Sequence, residues 1–220
     1  MPEPAKTRFE DPFGGRAPTS HERLSGKPWD ASYEDGPAPW DIGRPQPAIV
    51  RVAADGGFAG AVLDAGCGTG DNALHVAALR LPVLGVDVAE TAVAIARAKA
   101  AERGLDAEFE AADAFRLDRL ERRFDTVMDC GLFHTCDAVE RPRYATSLAS
   151  VVQPGGTLYV LCFSDVGADV GPHPVSQDQL HAAFTAGNGW AVTAIRPERV
   201  LTRFHDDDGA PAWLATMRRI

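Results

Sequence analysis

Residues 82–86 form an apolar run without alternation, as expected for a strand covered on both faces. Stretches at 61–65, 108–112, 124–128 and 157–163 read as further strands. Between them lie segments with helical character. Residues 71–79 follow a glycine-rich turn. Residues 91–103 are alanine-rich, with Glu90 at the start, Lys99 and Arg103 near the end and Gly104 as a stop. Residues 143–152 fit another helix, and 48–54 a short one leading into the first strand. Gln153-Pro-Gly-Gly156 predicts a sharp turn before the fifth strand. Beyond it the spacing predicts a helix over 175–184 capped by Ser176, a strand at 190–195, a turn at 206–209 and a last strand at 213–219.

Strand and helix in alternation specify a parallel sheet with helices on both faces. Two late strands with no helix between them add an antiparallel hairpin. The expected fold is therefore α/β and Rossmann-like: a seven-stranded, mostly parallel sheet whose last strand is antiparallel. Residues 1–47 stand apart, with nine of the sixteen prolines. The first 25 or so residues read as a tail or loosely packed arm. In 29–47, Trp29, Tyr33 and Trp40 sit in a proline-stiffened segment and are expected either to pack on the core or to cover a ligand. The expected division is an arm and covering segment over 1–47 and the α/β domain over 48–220.

The turn after the first strand reads Asp64-Ala-Gly66-Cys-Gly68-Thr-Gly70-Asp71. Glycine lets the backbone turn sharply and a ligand approach without a Cβ in the way. Its later part also matches a dinucleotide fingerprint, but a pyrophosphate requires positive potential. Asp64 and Asp71 flank the turn and suit instead a ligand carrying an ammonium or sulfonium and no phosphate, which describes S-adenosylmethionine. Asp64, Asp87, Asp113 and Asp129 follow one another at the first four strand ends, on the side where open parallel sheets bind ligands. Asp87, 23 positions after Asp64, is expected to accept from ribose hydroxyls. Asp113 and Ala114 are expected to reach adenine. Asp64 with Gly66, Cys67 and Gly68 would hold the methionine part, and Asp129 would lie near the sulfonium. Asn72 and Val88, neighbours of the turn and of Asp87, complete the expected cofactor set.

These residues resemble motif I of class I S-adenosylmethionine-dependent methyltransferases, with Asp87 as the acidic end of the second strand and Pro154-Gly-Gly156 before the fifth. Pro39-Trp-Asp-Ile-Gly-Arg-Pro-Gln-Pro47 and Asp129-Cys-Gly-Leu-Phe-His-Thr135 are similar to the bacterial small-molecule group related to thiopurine, thiol, halide and heterocyclic-toxin methyltransferases. The resemblance implies that the tryptophan segment closes over the cofactor and that Trp40 packs near the sulfonium.

The expected reaction is methyl transfer to sulfur, oxygen or nitrogen of a small aromatic or heterocyclic acceptor. Thiolates and halides need no base; a phenol, hydroxy-heterocycle or amine must lose a proton. His134, after the fourth strand, is the expected base. Tyr33, Phe133 and His173 are expected at the acceptor. Phe163 is a further candidate for an apolar floor but reads more as core. The net charge of −9 argues against nucleic acid as partner. No stretch is apolar enough to predict a membrane span, no metal pattern is present, and four unpaired-looking cysteines suggest a reducing cytoplasm. The alternatives are a cofactor-binding domain without catalysis and an NAD-dependent oxidoreductase.

Overall fold

A strand buried on both faces must be flanked by helices that bury its side chains, and the order of elements follows that need. The computed structural model describes residues 11, 13–167, 173–205 and 207–220. In chain order it contains α1 (Ser20–Ser25), α2 (Pro47–Ala54), β1 (Val62–Ala65), α3 (Asp71–Ala77), β2 (Val83–Asp87), α4 (Glu90–Arg103), β3 (Glu108–Ala111), β4 (Phe124–Cys130), α5 (Glu140–Val151), β5 (Val152–Phe163), α6 (Gln177–Ala183), β6 (Trp190–Val200) and β7 (Ala210–Arg219). The sheet runs β3-β2-β1-β4-β5-β7-β6. Pairing is parallel from β3 to β5, and β7 is antiparallel to both β5 and β6. The strand order reverses between β1 and β4, so a crevice opens at their carboxyl ends.

One apolar layer joins α5 and α6 to the sheet through Tyr144, Leu148, Leu180 and Trp190; the other joins α2, α3 and α4 through Ile49, Leu74 and Val93. β3 is an edge strand with only Phe109 buried. That ring fills the space where a Cβ on Gly70 or Gly85 would stand, 2.8 and 2.6 Å away. Glycine at these positions lets the edge strand pack on the ligand-binding turn.

Several expected boundaries shift. β4 continues to Cys130 rather than ending at Met128, which carries Asp129 into the sheet. The turn at 153–156 is an irregularity inside β5, between the pairs Phe124–Val152 and Thr126–Thr157. β6 reaches Val200 because β7 pairs with it along nearly its whole length. Of the expected 206–209 turn, Asp206 lies outside the described residues. Of the expected loose arm, residues 1–10 and 12 lie outside the described residues, and Thr19 and Glu22 form a reciprocal capping box at α1. α1 docks on the start of α5, where Glu140 accepts from the Ser20 N–H at 2.7 Å and from Arg23 at 3.1 Å. No helix among the described residues is long and apolar enough to cross a membrane.

Candidate active site

At the crevice, β1 ends in a turn whose amides are already spent. Gly66 and Cys67 donate their N–H groups to the Val86 carbonyl at 2.8 and 2.9 Å, and Gly70 donates to Cys67 at 3.0 Å. The Gly68 N–H donates to Asp87 Oδ2 at 2.8 Å, while Asp87 Oδ1 accepts from Ala89 at 2.9 Å. Each Asp87 oxygen keeps a further lone pair for a hydroxyl donor. Burial raises the Asp87 pKa, and the amides of Ala89, Gly68 and Val88 oppose that rise. A phosphate would find these four amides occupied and a carboxylate in their midst.

Asp71 does not supply the expected repulsion. Lys99 and Arg103 from α4 hold its carboxylate at 2.6 and 3.0 Å. The amides of Gly66, Cys67, Gly68 and Gly70 are engaged by Val86, Cys67 and Asp87, and this, rather than an open charge on Asp71, disfavours a phosphate there.

The crevice is a cavity of about 370 Å³. Of the expected residues, Tyr33, Trp40, Gly66, Cys67, Gly68, Asn72, Asp87, Val88, Asp113, Ala114, His134 and His173 line it. Asp113 accepts from the Phe115 N–H at 2.9 Å and so caps the turn that begins at Ala114. Asn72 accepts from the Gln46 N–H at 2.9 Å, tying the tryptophan segment to α3.

Asp64, Asp129 and Phe133 are not on the cavity wall. Asp64 and Asp129 are fully buried behind it. Successive side chains of a strand point to opposite faces; with β4 extended, Cys130 reaches the cavity and Asp129 turns away towards Tyr144. Asp129 Oδ1 accepts from the N–H groups of Leu132 and Phe133, shaping the loop that carries His134. Its pKa rises to about 6 through burial. Neither Asp64 oxygen has a hydrogen-bond partner, and burial, with Asp129 and Asp87 nearby, pushes its pKa up to about 8. Phe133 packs in the core against Phe184 at 5.3 Å, under Arg141. Phe163 is buried in the core as expected and also lines the cavity, 4.4 Å from the His134 ring.

His134 is buried, and its Nδ1 has no partner. Burial first, then His173, Arg141 and His21, lowers its pKa to about 3. Burial thus favours the neutral imidazole. Burial and Asp87 raise the Tyr33 pKa far above the ordinary phenol value. Its hydroxyl accepts from Trp40 Nε1 at 3.1 Å and lies 3.2 Å from where a Cβ on Gly68 would stand, at a φ of +52°. Tyr33 therefore covers the turn rather than the far end of the cavity.

The roof comes from the arm. Trp29 stacks on His21 at 4.2 Å and meets the Trp40 edge at 5.6 Å. Glu22 fixes it, accepting from the Trp29 N–H at 3.0 Å and from both Arg16 amino groups. His21, Arg16, Phe204 and His205 also line the cavity and were missed from sequence. The Thr19-x-x-Glu22 capping box was a legible signal for the first two. Phe204 and His205 lie in a connection between strands and carry no local signature.

Sheet order, switch-point crevice and a carboxylate-occupied glycine turn together define a class I S-adenosylmethionine-dependent methyltransferase fold. A family model described as a methyltransferase domain matches residues 62–156. The chain is 36% identical over 204 residues to a 2-heptyl-1-hydroxyquinolin-4(1H)-one methyltransferase of Mycobacteroides abscessus, covering 91% of this chain and 83% of that one. It is 32% identical over 138 residues, 61% of each chain, to a probable thiol methyltransferase 2 of Arabidopsis thaliana. A solved structure described under "Conversion of a Disulfide Bond into a Thioacetal Group during Echinomycin Biosynthesis" superposes with a TM-score of 0.74 and 39% identity, over 82% of this chain and 84% of that one. The chain belongs to the class I methyltransferases and, within them, to the group that acts on small molecules. Its cofactor is S-adenosyl-L-methionine, which removes the NAD-dependent reading, and it is an enzyme rather than a bare binding domain.

Proposed function

We propose that the chain methylates an oxygen, sulfur or nitrogen of a small aromatic or heterocyclic acceptor, and that acceptors able to ionise without help serve it best. The observation that carries this is a cavity with two unlike walls. One is the glycine turn with Asp87 and Asp113; the other is aromatic and imidazole, formed by Trp29, His21, Phe163 and His134.

When bound, S-adenosylmethionine supplies a methyl group on a positive sulfur that leaves readily. The work left to the protein is alignment and exclusion of water. Asp87 is the proposed ribose acceptor, and Asp113 with Ala114 the proposed adenine contacts. Behind the wall Asp64, its pKa pushed up to about 8, rests mostly protonated, beside Asp129. Trp40 is the proposed cover of the sulfonium, an arrangement worth about 0.5–2 kcal/mol. Phe163, in place of Phe133, forms the acceptor floor beside His134, with His173 at the rim.

His134, held neutral, orients an acceptor by hydrogen bond and takes no proton at neutral pH. The quinolinone named in the Mycobacteroides relative carries an N-hydroxyl and the Arabidopsis relative is named for thiols; both groups ionise more readily than an alcohol. The cytoplasmic reading belongs to this proposal too, supported by four free thiols.

The test is turnover to S-adenosylhomocysteine with thiols, N-hydroxy-heterocycles and simple phenols at pH 7. Acidic acceptors are expected to react faster, and equal rates across the panel would refute the acidity argument. His134→Ala is expected to keep cofactor affinity while slowing transfer about tenfold or more. The native rate should show no inflection between pH 5 and 8 from this imidazole, whose pKa lies near 3. An inflection in that window that disappears in His134→Ala would restore it as a base.

A further inference from the structure

Four imidazoles line the cavity: His21, His134, His173 and His205. Three of them are placed by packing. His21 stacks on Trp29 and meets the edge of His173 at 6.4 Å, and His134 is buried against Phe163. His205 differs. Among the described residues it is the one cavity imidazole with a ring nitrogen held by a hydrogen bond, its Nδ1 lying 2.6 Å from Thr202 Oγ1. The same hydroxyl accepts from the Phe204 N–H at 3.1 Å and so closes a tight turn. The His205 ring stands 6.1 Å from Phe163, which His134 meets at 4.4 Å. Two imidazoles thus meet the ring proposed as the acceptor floor.

His205 is also tied to the cover of the cofactor. It lies in the connection between β6 and β7, and that connection is strapped to the tryptophan segment. The Leu201 backbone exchanges hydrogen bonds with the Gln46 side chain at 2.8 and 2.9 Å. The Arg203 N–H donates to the Pro39 carbonyl at 2.8 Å, and Arg203 Nε donates to the Asp41 carbonyl at 2.5 Å. Pro39 and Asp41 are the chain neighbours of Trp40, the proposed cover of the sulfonium. Two residues beyond Arg203, His205 is therefore held in a fixed relation to the methyl donor.

A hydroxyl acceptor must lose a proton, and a fixed base beside the methyl donor answers that need. We propose that His205 is the catalytic base for weakly acidic hydroxyl acceptors, with Thr202 as its positioning residue. Thr202 Oγ1 takes the Nδ1–H and the Phe204 N–H on its two lone pairs, which leaves Nε2 with the free lone pair of the ring. The acceptor O–H gives its proton to Nε2. The electron pair of that oxygen forms the bond to the methyl carbon, and the methyl–sulfur pair stays on sulfur. The products are the methyl ether and S-adenosylhomocysteine. His205 is half-buried, so water reaches the imidazolium and takes the proton away. His134 orients the acceptor on the same ring. An acceptor that is already an anion bypasses His205, which keeps acidic acceptors the faster ones.

The proposal rests on methyl transfer to a small aromatic acceptor, and its test separates the two. Phenol and thiophenol share a ring, and at a pH between their ionisations only the thiol is an anion. With the full chain at such a pH, His205→Gln is expected to lower the ratio of phenol to thiophenol turnover about tenfold or more. Thr202→Val should lower the same ratio by less. Added imidazole should restore part of the phenol rate in His205→Ala, a recovery that a merely structural role does not give. An unchanged ratio in His205→Gln, no recovery with imidazole, or native turnover of thiophenol without phenol would overturn the base. Native turnover of neither compound would instead overturn the aromatic acceptor.

Discussion

Asp87→Ala is expected to weaken S-adenosylmethionine binding by about tenfold or more in a calorimetric titration, because one side chain serves two purposes. Its oxygens orient the Gly68 and Ala89 amides and keep lone pairs for the ribose. Removing it leaves two N–H groups unpaired at the floor of the site and deletes the hydroxyl acceptor. Asparagine is no remedy, since its NH2 group must then face one of the two backbone N–H donors. Asp87→Asn is therefore expected to lose nearly as much as Asp87→Ala. Binding of either variant at native strength would remove Asp87 from the cofactor site.

Asp64→Asn is expected to do two opposite things: to stabilise the ligand-free protein at alkaline pH and to weaken the cofactor. The folded-state pKa of Asp64 is about 8, raised from 3.8, chiefly by burial. A carboxyl whose pKa is raised on folding contributes its full stability when protonated, below its unfolded value, and loses it as pH rises to the folded value. The native chain should therefore lose stability between about pH 4 and pH 8 through this group, by an amount on the order of a few kcal/mol. Asparagine carries no such cost. Thermal unfolding at pH 9 should show the variant melting about 5 °C or more above the native chain, with the gap closing towards pH 4. Asp129 and Asp87, the charges nearest to Asp64, sharpen the effect, since each ionised neighbour raises the cost. In the same variant S-adenosylhomocysteine should bind more weakly, because a bound ammonium favours the ionised form of Asp64 behind the wall and asparagine has no such form. A melting difference independent of pH would show that Asp64 is not held protonated. A stabilised site that gives up affinity is the usual exchange at functional positions.

The fold was legible because local signals agreed. Glycine stops, apolar runs and caps such as Ser176 each indicated the same alternation, and the observed helices α2, α4 and α6 lie within a few residues of expectation. The site was legible in part. The turn residues, Asp87, Asp113 and His134 reach the cavity because strand ends of a parallel sheet must share one edge. Depth was not legible. Asp129 was expected on the wall, but β4 extends two residues and the pleat sends its side chain inward. Phe133 and Phe163 were not distinguished for a like reason: both are aromatic residues near strand ends and both are core, and only packing against Phe184 or His134 decides that Phe163 alone also meets the cavity.

Charge state divided in the same way. Sequence counts Asp71 and Asp64 alike as carboxylates. α4 brings Lys99 and Arg103 to the first, whereas the second is enclosed without a partner.

The sequence by itself determined the alternation of strands and helices, the glycine turn and the edge on which the acids gather, since these depend on local conformation and side-chain period. The tertiary structure alone decided which acids stay charged, which rings face the cavity, and that an arm helix with His21 and Trp29 roofs the site. Those outcomes depend on desolvation and on contacts between residues distant in the chain, which no local pattern encodes.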